Sequence, residues 1–236
     1  MRLDKFISNQ LIISRRDVTK HIKAGKCCVN GCVAKTGDIK INPENDTITF
    51  NGEKIYYSEY LYLVMNKPAG VLTATEDKTR KTVLDLVPDI YRRASLCPVG
   101  RLDKDTTGLL LLSDNGAWGH KIISPKSNIS KTYLVKLDGE LKTNMIEAFK
   151  NGITLADKTV CKSSDLKILN TNTALLTLYE GKYHEVKRMF GTVDLGVNSL
   201  KRIKIGCFNL PQDLKPGECR LLTSEEIALI EHTYTE

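Results

Sequence analysis

Gly100-Arg101-Leu102-Asp103-Lys104-Asp105-Thr106-Thr107-Gly108 runs directly into Leu109-Leu110-Leu111-Leu112-Ser113. Two glycines bracket a short polar run, and Thr107 to Ser113 reads as a strand buried on both faces. A loop held rigidly by a buried strand can present a carboxylate to a ligand. Arg101 and Lys104 flank Asp103 and would keep it ionised, as a nucleophile or base requires. A tight turn with solvated charges accounts for the same spacing, so the pattern alone leaves both readings open.

Working outward, Leu61-Tyr62-Leu63-Val64-Met65 reads as a strand ending in the punctuated turn Asn66-Lys67-Pro68-Ala69-Gly70. Further strands are expected at Thr132 to Leu137 and Ala174 to Tyr179. Helices are expected near 115–122, 143–151, 183–190 and 224–232, the last opened by the capping box Thr223-Ser224-Glu225-Glu226. Strands with irregularly placed helices argue for an α+β fold rather than a regularly wound α/β one.

The N-terminal segment has a different texture. Leu3, Phe6, Ile7 and Leu11 follow helical spacing over residues 2–11, and Ser14-Arg15-Arg16-Asp17 opens a second helix with Val18 and Ile22 inside and Gly25 as its stop. Asn30-Gly31 and Asn51-Gly52 each mark a tight hairpin. Tyr56-Tyr57-Ser58-Glu59-Tyr60 reads as a linker, which divides the chain into domains at 1–57 and 58–236.

The 236 residues are 41% hydrophobic and 27% charged, which excludes wholesale disorder and coiled coil. The longest aliphatic run, Leu109 to Leu112, is far short of the ~18 apolar residues of a membrane span. Met1-Arg2-Leu3-Asp4-Lys5 opens no apolar signal core, so a cytoplasmic protein with no membrane association is expected. The seven cysteines are odd in number and form no CxxC…CxxC set; reduced thiols are the expectation over a zinc site at Cys28 and Cys32. Lys and Arg exceed Asp and Glu by 35 to 28. Residues 1–40 hold nine of those cations (Arg2, Lys5, Arg15, Arg16, Lys20, Lys23, Lys26, Lys35, Lys40) against three acids. A positive field so concentrated gathers polyanions, a nucleic acid before an anionic membrane surface. No phosphate loop, dinucleotide fingerprint, HExxH or GxSxG elbow is present, so the chemistry is expected to need no cofactor and no metal.

Arg2-Leu3-Asp4-Lys5-Phe6, Ser14-Arg15-Arg16 and Lys26-Cys27-Cys28-Val29-Asn30-Gly31 resemble an S4 RNA-binding domain. The resemblance implies that Arg2, Lys5, Arg15, Arg16, Lys20, Lys23 and Lys26 bind RNA. The run from Gly100 to Gly108 carries the GRLDxxTxG signature of pseudouridine synthases in the branch that modifies ribosomal RNA. Asn66-Lys67-Pro68-x-Gly70, Lys131-Thr132-Tyr133 and Glu180-Gly181-Lys182-Tyr183-His184-Glu185-Val186-Lys187-Arg188-Met189-Phe190 match three further motifs in order. Together these cover essentially the whole chain, and imply a synthase domain built on a mostly antiparallel mixed sheet with flanking helices.

By that resemblance Asp103 is the essential aspartate, attacking C1′ or removing the 2′ proton; Tyr133 carries the ring beneath the flipped base; and Lys187 is the cation beside Asp103, with Arg188 as second choice. Many relatives have Arg at that position, and lysine gives a point charge without a bidentate fork. Arg101 and Arg188 would contact RNA, and Leu200 would pack on the base. Lys67, His120, Lys121, Lys126, Lys131 and Arg202 are candidate phosphate contacts. Trp118 to Pro125 and the Lys-Arg-Met-Phe run resemble the small-subunit branch, which implies isomerisation of one uridine of 16S ribosomal RNA, uridine 516, in free RNA or an assembling ribonucleoprotein, by a monomer. A sister synthase of large-subunit (23S) RNA and a non-catalytic S4-type RNA-binding protein are the alternatives. Glycoside hydrolysis by Asp103 and Asp105 is disfavoured, because both carboxylates share one tight loop.

Overall fold

Asn30 and Asn51 take φ of 51° and 52°, and the glycines after them 81° and 84°, the left-handed pair that a type I′ turn demands. These turns close the two hairpins of a small antiparallel sheet: β1 (Cys27–Val29), β2 (Cys32–Val33), β3 (Ile48–Phe50) and β4 (Glu53–Ile55), in the order β2-β1-β3-β4. Helices α1 (Leu3–Gln10) and α2 (Arg15–Lys23) cover it. The Ser14 hydroxyl caps α2 by accepting the Asp17 N–H at 3.1 Å. Leu3, Phe6, Ile7, Val18, Ile22 and Ile48 form the core of this unit.

The structure, a computed structural model, describes residues 1–11 and 13–232. They divide into two compact units: Met1–Leu61 joined by Val87–Leu96, and Tyr62–Leu86 with the chain from Cys97 onward. Within the first unit the stretch read as a linker is tied down. Buried Gln10 and Arg93 both donate to the Ser58 carbonyl, at 3.3 and 2.9 Å, and Arg93 also donates to Gln10 Oε1. No sequence signal reveals that residues 87–96 pack with the first unit.

Two N-terminal cations have a structural task. Asp4 is buried, and its carboxylate accepts from Arg2 Nη2 at 2.9 Å, Arg15 Nη2 at 2.8 Å and the Lys5 N–H at 2.7 Å. Lys20 pairs with Asp17 at 2.7 Å. Lys5, Arg16, Lys23 and Lys26 are exposed.

The second unit is organised by a nine-stranded mixed sheet. Its strands are β5 (Tyr62–Lys67), β6 (Cys97–Val99), β7 (Thr107–Ser113), β8 (Lys131–Leu137), β9 (Asp165–Asn170), β10 (Thr173–Leu178), β11 (Val197–Ile205), β12 (Phe208–Asn209) and β13 (Cys219–Leu221). The path is β13-β5-β7-β11-β8-β10-β9, with β6 on β7 and β12 on β11; every pairing is antiparallel except β7 with β11. Helices α3 (Gly116–Ile123), α4 (Asn144–Asn151), α5 (Glu185–Gly191) and α6 (Ser224–Glu231) flank it. Thr223 and Glu226 form the expected capping box on α6. The α+β architecture and the mostly antiparallel sheet are those the resemblance implies.

The central β11 escapes sequence reading because five of its nine residues are polar (Asn198, Ser199, Lys201, Arg202, Lys204). Beside it, Gly108 has φ +97°, and a Cβ there would lie 2.2 Å from the Arg202 carbonyl oxygen. The parallel approach of β7 and β11 therefore requires glycine. Among the described residues no helix is long and apolar enough to cross a membrane.

The Asp4 clamp yields a pH test. Hydrogen bonding from Arg2, opposed by burial and reinforced by Arg15, lowers the Asp4 pKa to about 2 from 3.8. Its stabilisation is thus complete above the unfolded value and fades as pH falls towards 2. Asp4→Asn is expected to cost about 1–3 kcal/mol at neutral pH. Amide exchange across α1 and α2 should show this loss, and should show less weakening between pH 4 and 2 than the wild type does.

Candidate active site

The loop from Gly100 to Thr106 is pinned on both sides of Asp103. Ahead of it, the Thr73 hydroxyl donates to the Leu102 carbonyl at 2.7 Å and accepts the Leu102 N–H at 3.2 Å. Behind it, the fully buried Lys67 ammonium donates to the carbonyls of Pro68, Lys104 and Thr106 at 3.0, 3.1 and 2.9 Å. Burial pulls the Lys67 pKa down to about 8, which still leaves the amine charged at neutral pH. Its three N–H bonds meet three carbonyls, so Lys67 is an internal peg and not the phosphate contact expected from sequence.

Asp103 projects from this pinned loop into a cavity of about 1030 Å³ in the second unit. Arg101, Asp105, Tyr133, His184, Lys187 and Leu200 line the same space. The floor is one sheet face. Antiparallel register sets Leu200 opposite Val135, Arg202 opposite Tyr133 and Ile205 opposite Lys131. Residues 202 and 205 would point to opposite faces in a regular strand; a bulge between Arg202 and Lys204 puts both on the floor.

The wall opposite the loop is the start of α5. His184, the residue before the helix, has φ +47°, a left-handed backbone uncommon for residues other than glycine. Its Nε2 lies 3.3 Å from Asp103 Oδ1, and its ring stacks at 3.9 Å on exposed Tyr183. Lys187, in the first turn of α5, bonds Asp105 Oδ2 at 2.6 Å. That bond holds the Asp105 carboxyl below the usual carboxylate range. The residue before α5 and one in its first turn thus grip two alternate residues of the loop.

The structure therefore brings Asp103, Tyr133, Lys187, Arg101 and Leu200 to one cavity, but the ion-pair partners differ from the sequence reading. Lys187 contacts Asp105, and the cation-capable side chain on Asp103 is His184, because the turn into α5 points residue 184 at the loop's centre and residue 187 at its far end. Arg188 is paired with Asp157 at 2.5 Å. Lys131 and Arg202 are buried, at 8% and 3% exposure, so they too are floor residues and not surface phosphate contacts. His120, Lys121 and Lys126 are exposed, with Lys121 paired to Glu231. Sequence reasoning missed His184 and Thr73: the first lies inside a quoted motif, and the second carries no local signal.

All seven cysteines are free. Cys28 and Cys32 belong to no cluster of ligand-type side chains among the described residues; the cluster that exists is Cys161, Glu180 and Glu185. There Glu180 is already occupied by the Lys182 ammonium, and burial pushes Glu185 up to about 6. A rigid carboxylate beside an imidazole, above a floor with one aromatic ring, suits attack on or proton removal from a bound planar ligand.

The family described as RNA pseudouridylate synthase matches residues 61–192, and the S4 domain matches residues 1–48. A ribosomal small subunit pseudouridine synthase A of Yersinia pestis is 42% identical over 234 residues, 98% of each chain. An uncharacterized RNA pseudouridine synthase of Bacillus subtilis, YtzG, is 41% identical over 234 residues, again 98% of each chain. The crystal structure of a pseudouridylate synthase is similar with a TM-score of 0.68 at 38% identity, covering 98% of this chain and 99% of that one.

Lys67→Met removes the peg, leaves the buried Thr106 carbonyl short of a donor and takes one from the Pro68 and Lys104 carbonyls, the latter keeping the Gly70 N–H. It should cost about 1–3 kcal/mol in chemical denaturation, and loosen the loop enough to increase amide exchange at residues 103–106.

Proposed function

The chain belongs to the RNA pseudouridylate synthase family and carries an N-terminal S4 domain, and from this we propose that it converts one uridine of small-subunit (16S) ribosomal RNA, uridine 516, to pseudouridine. The observation that carries the reading is that a single cavity gathers Asp103, Tyr133, Lys187, Arg101 and Leu200, which lie in four separate stretches of sequence. The names of similar proteins, such as the Yersinia pestis enzyme, favour the small-subunit target. The enzyme works as a cytoplasmic monomer without a cofactor, on free RNA or on an assembling subunit.

Isomerisation breaks N1–C1′ of the uridine, turns the ring and rejoins it through C5, so the base must leave its stack to be reached. Tyr133 stacks on the extruded ring, a contact of order 1–3 kcal/mol, and Leu200 packs beside it. Asp103 acts on the sugar, either bonding C1′ or taking the 2′ proton. The Thr73 and Lys67 anchors hold it so that little motion remains to be frozen out when the sugar arrives. His184 fixes the orientation of Asp103, while Lys187 holds Asp105 and adds positive field to the pair of carboxylates. The Tyr133 hydroxyl takes the C5 proton at the end. Arg101, exposed at the rim, meets RNA phosphate or helps displace the flipped base.

Docking falls to the S4 domain, through Lys5, Arg16, Lys23 and Lys26. Arg2, Arg15 and Lys20 contribute charge from their acidic partners' sides, and Arg188 does so from beside Asp157. Each phosphate contact releases counterions and so steepens the salt dependence.

Asp103→Asn should bind its RNA as the wild type does and form no pseudouridine, nor any adduct with RNA containing 5-fluorouridine; undiminished product would end the assignment. Site-resolved sequencing of ribosomal RNA from cells lacking the protein should show unmodified uridine at one small-subunit position, and a large-subunit position would redirect the reading to a sister enzyme. Replacing Arg16, Lys23 and Lys26 by Gln together should lower the slope of log affinity against log salt by roughly 0.7–0.9 per lost contact.

A further inference from the structure

Arg202 and Lys131 are the two cations on the floor of the cavity. Arg202 stands directly across the β8–β11 ladder from Tyr133, and Lys131 lies two residues before Tyr133 on the same face. Directly opposed side chains on a sheet are about 5 Å apart at Cβ, and second neighbours along a strand about 7 Å. A planar ring stacked on Tyr133 therefore has both cations at its edge. Arg202 is oriented by its Nε–H, which donates to the Leu109 carbonyl at 2.7 Å. Its Nη2 is buried and has no hydrogen-bond partner. Lys131 donates to the Ile129 carbonyl at 2.9 Å, a single bond for a group with three donors. Burial, then the charge of Arg202, depress its pKa to about 8, with Glu185 acting against them.

A buried guanidinium with an unmade hydrogen bond costs folding free energy. The cost is recovered if a ligand brings an acceptor, and more so if that acceptor gains negative charge during reaction. Phosphates are poor candidates, since they stay with the RNA backbone at the rim while the floor meets what is inserted deepest, the base. We propose that Arg202, supported by Lys131, binds a carbonyl oxygen of the flipped uracil and stabilises the negative charge the ring acquires when it detaches. This rests on the proposed reading of the cavity as a uridine-isomerising site. When N1–C1′ breaks, its electron pair leaves on the ring and spreads from N1 onto O2 and O4. C1′ gains a bond to an Asp103 oxygen, or C2′ gives its proton to Asp103 as C1′=C2′ forms. After the ring turns, its electron pair forms C5–C1′ and the Asp103 oxygen, or its proton, is returned. C5 then loses a proton and N1 gains one, so nothing is oxidised or reduced.

The test compares leaving groups. Single-turnover glycosidic cleavage is measured on the same RNA carrying uridine or 5-fluorouridine at the target, the fluorinated ring being the more stable anion. Arg202→Gln keeps a donor for Leu109 but removes the charge. It should slow uridine cleavage about 100-fold, in the range found for loss of one oxyanion donor, and 5-fluorouridine cleavage at least several-fold less, with RNA affinity unchanged. Lys131→Met should show the same inequality with a smaller loss, and Arg202→Lys should recover part of the rate. Equal slowing of both substrates, or none, would overturn the proposal, because a merely structural residue is blind to ring acidity. If Arg202→Gln does not fold, Lys131→Met decides on the same criterion. A wild-type protein that cleaves neither RNA would instead defeat the proposed function itself.

Discussion

The parallel contact in which Thr107 and Gly108 meet Lys201 and Arg202 is the constraint on which the rest of the synthase domain depends. Gly108 closes the loop that carries Asp103, and Arg202 faces Tyr133 across the next ladder, so this one pairing sets the spacing between carboxylate and floor. It exists because residue 108 has no Cβ; with one, the 2.2 Å approach to the Arg202 carbonyl would push β7 away from β11. Sequence motif and sheet topology are here the same fact seen twice. A glycine ends the polar run because two strands must nearly touch there.

Twelve of the cations illustrate three physical states. Lys67, Lys131 and Arg202 are buried, and each spends its hydrogen bonds on main-chain carbonyls. Arg2, Arg15, Lys20, Lys187 and Arg188 are held by carboxylates. Lys5, Arg16, Lys23 and Lys26 extend into water. The last group can meet a polyanion without first giving up a partner, and exposed pairs such as Lys20 with Asp17 give theirs up cheaply. Net charge predicts that RNA is gathered; it does not say which side chains gather it and which build the site.

The loop around Asp103 shows how ordinary side chains and main-chain carbonyls give positional accuracy. Lys67 ends a preceding strand and Thr73 follows its turn, His184 and Lys187 come from the cap and first turn of α5, and all four act on the five residues from Leu102 to Thr106. Backbone groups are held by Thr73 and Lys67, side chains by His184 and Lys187. The left-handed φ of His184 is strain placed where it turns an imidazole onto the carboxylate.

Much of this was readable from residue order alone. The Asn-Gly hairpins, the Ser14 and Thr223 caps and the strand at 107–113 follow from local rules of backbone angle, hydrogen-bond supply and side-chain period. The four motifs named the residues of the cavity, because such runs are short-range patterns in which each letter answers to its neighbours. What the sequence withheld depends on residues far apart in the chain. Nothing local says that Lys67 reaches across to carbonyls 104 and 106, or that Gln10 and Arg93 meet at Ser58. Nothing local says that Lys187 takes Asp105 while His184 takes Asp103. β11 hides because the burial of its Arg202 beside exposed Lys201 is decided by a bulge and by the strands on either side. Dihedral preference and periodicity are encoded residue by residue; desolvation and charge pairing depend on where distant segments come to rest, and only the packed chain decides them.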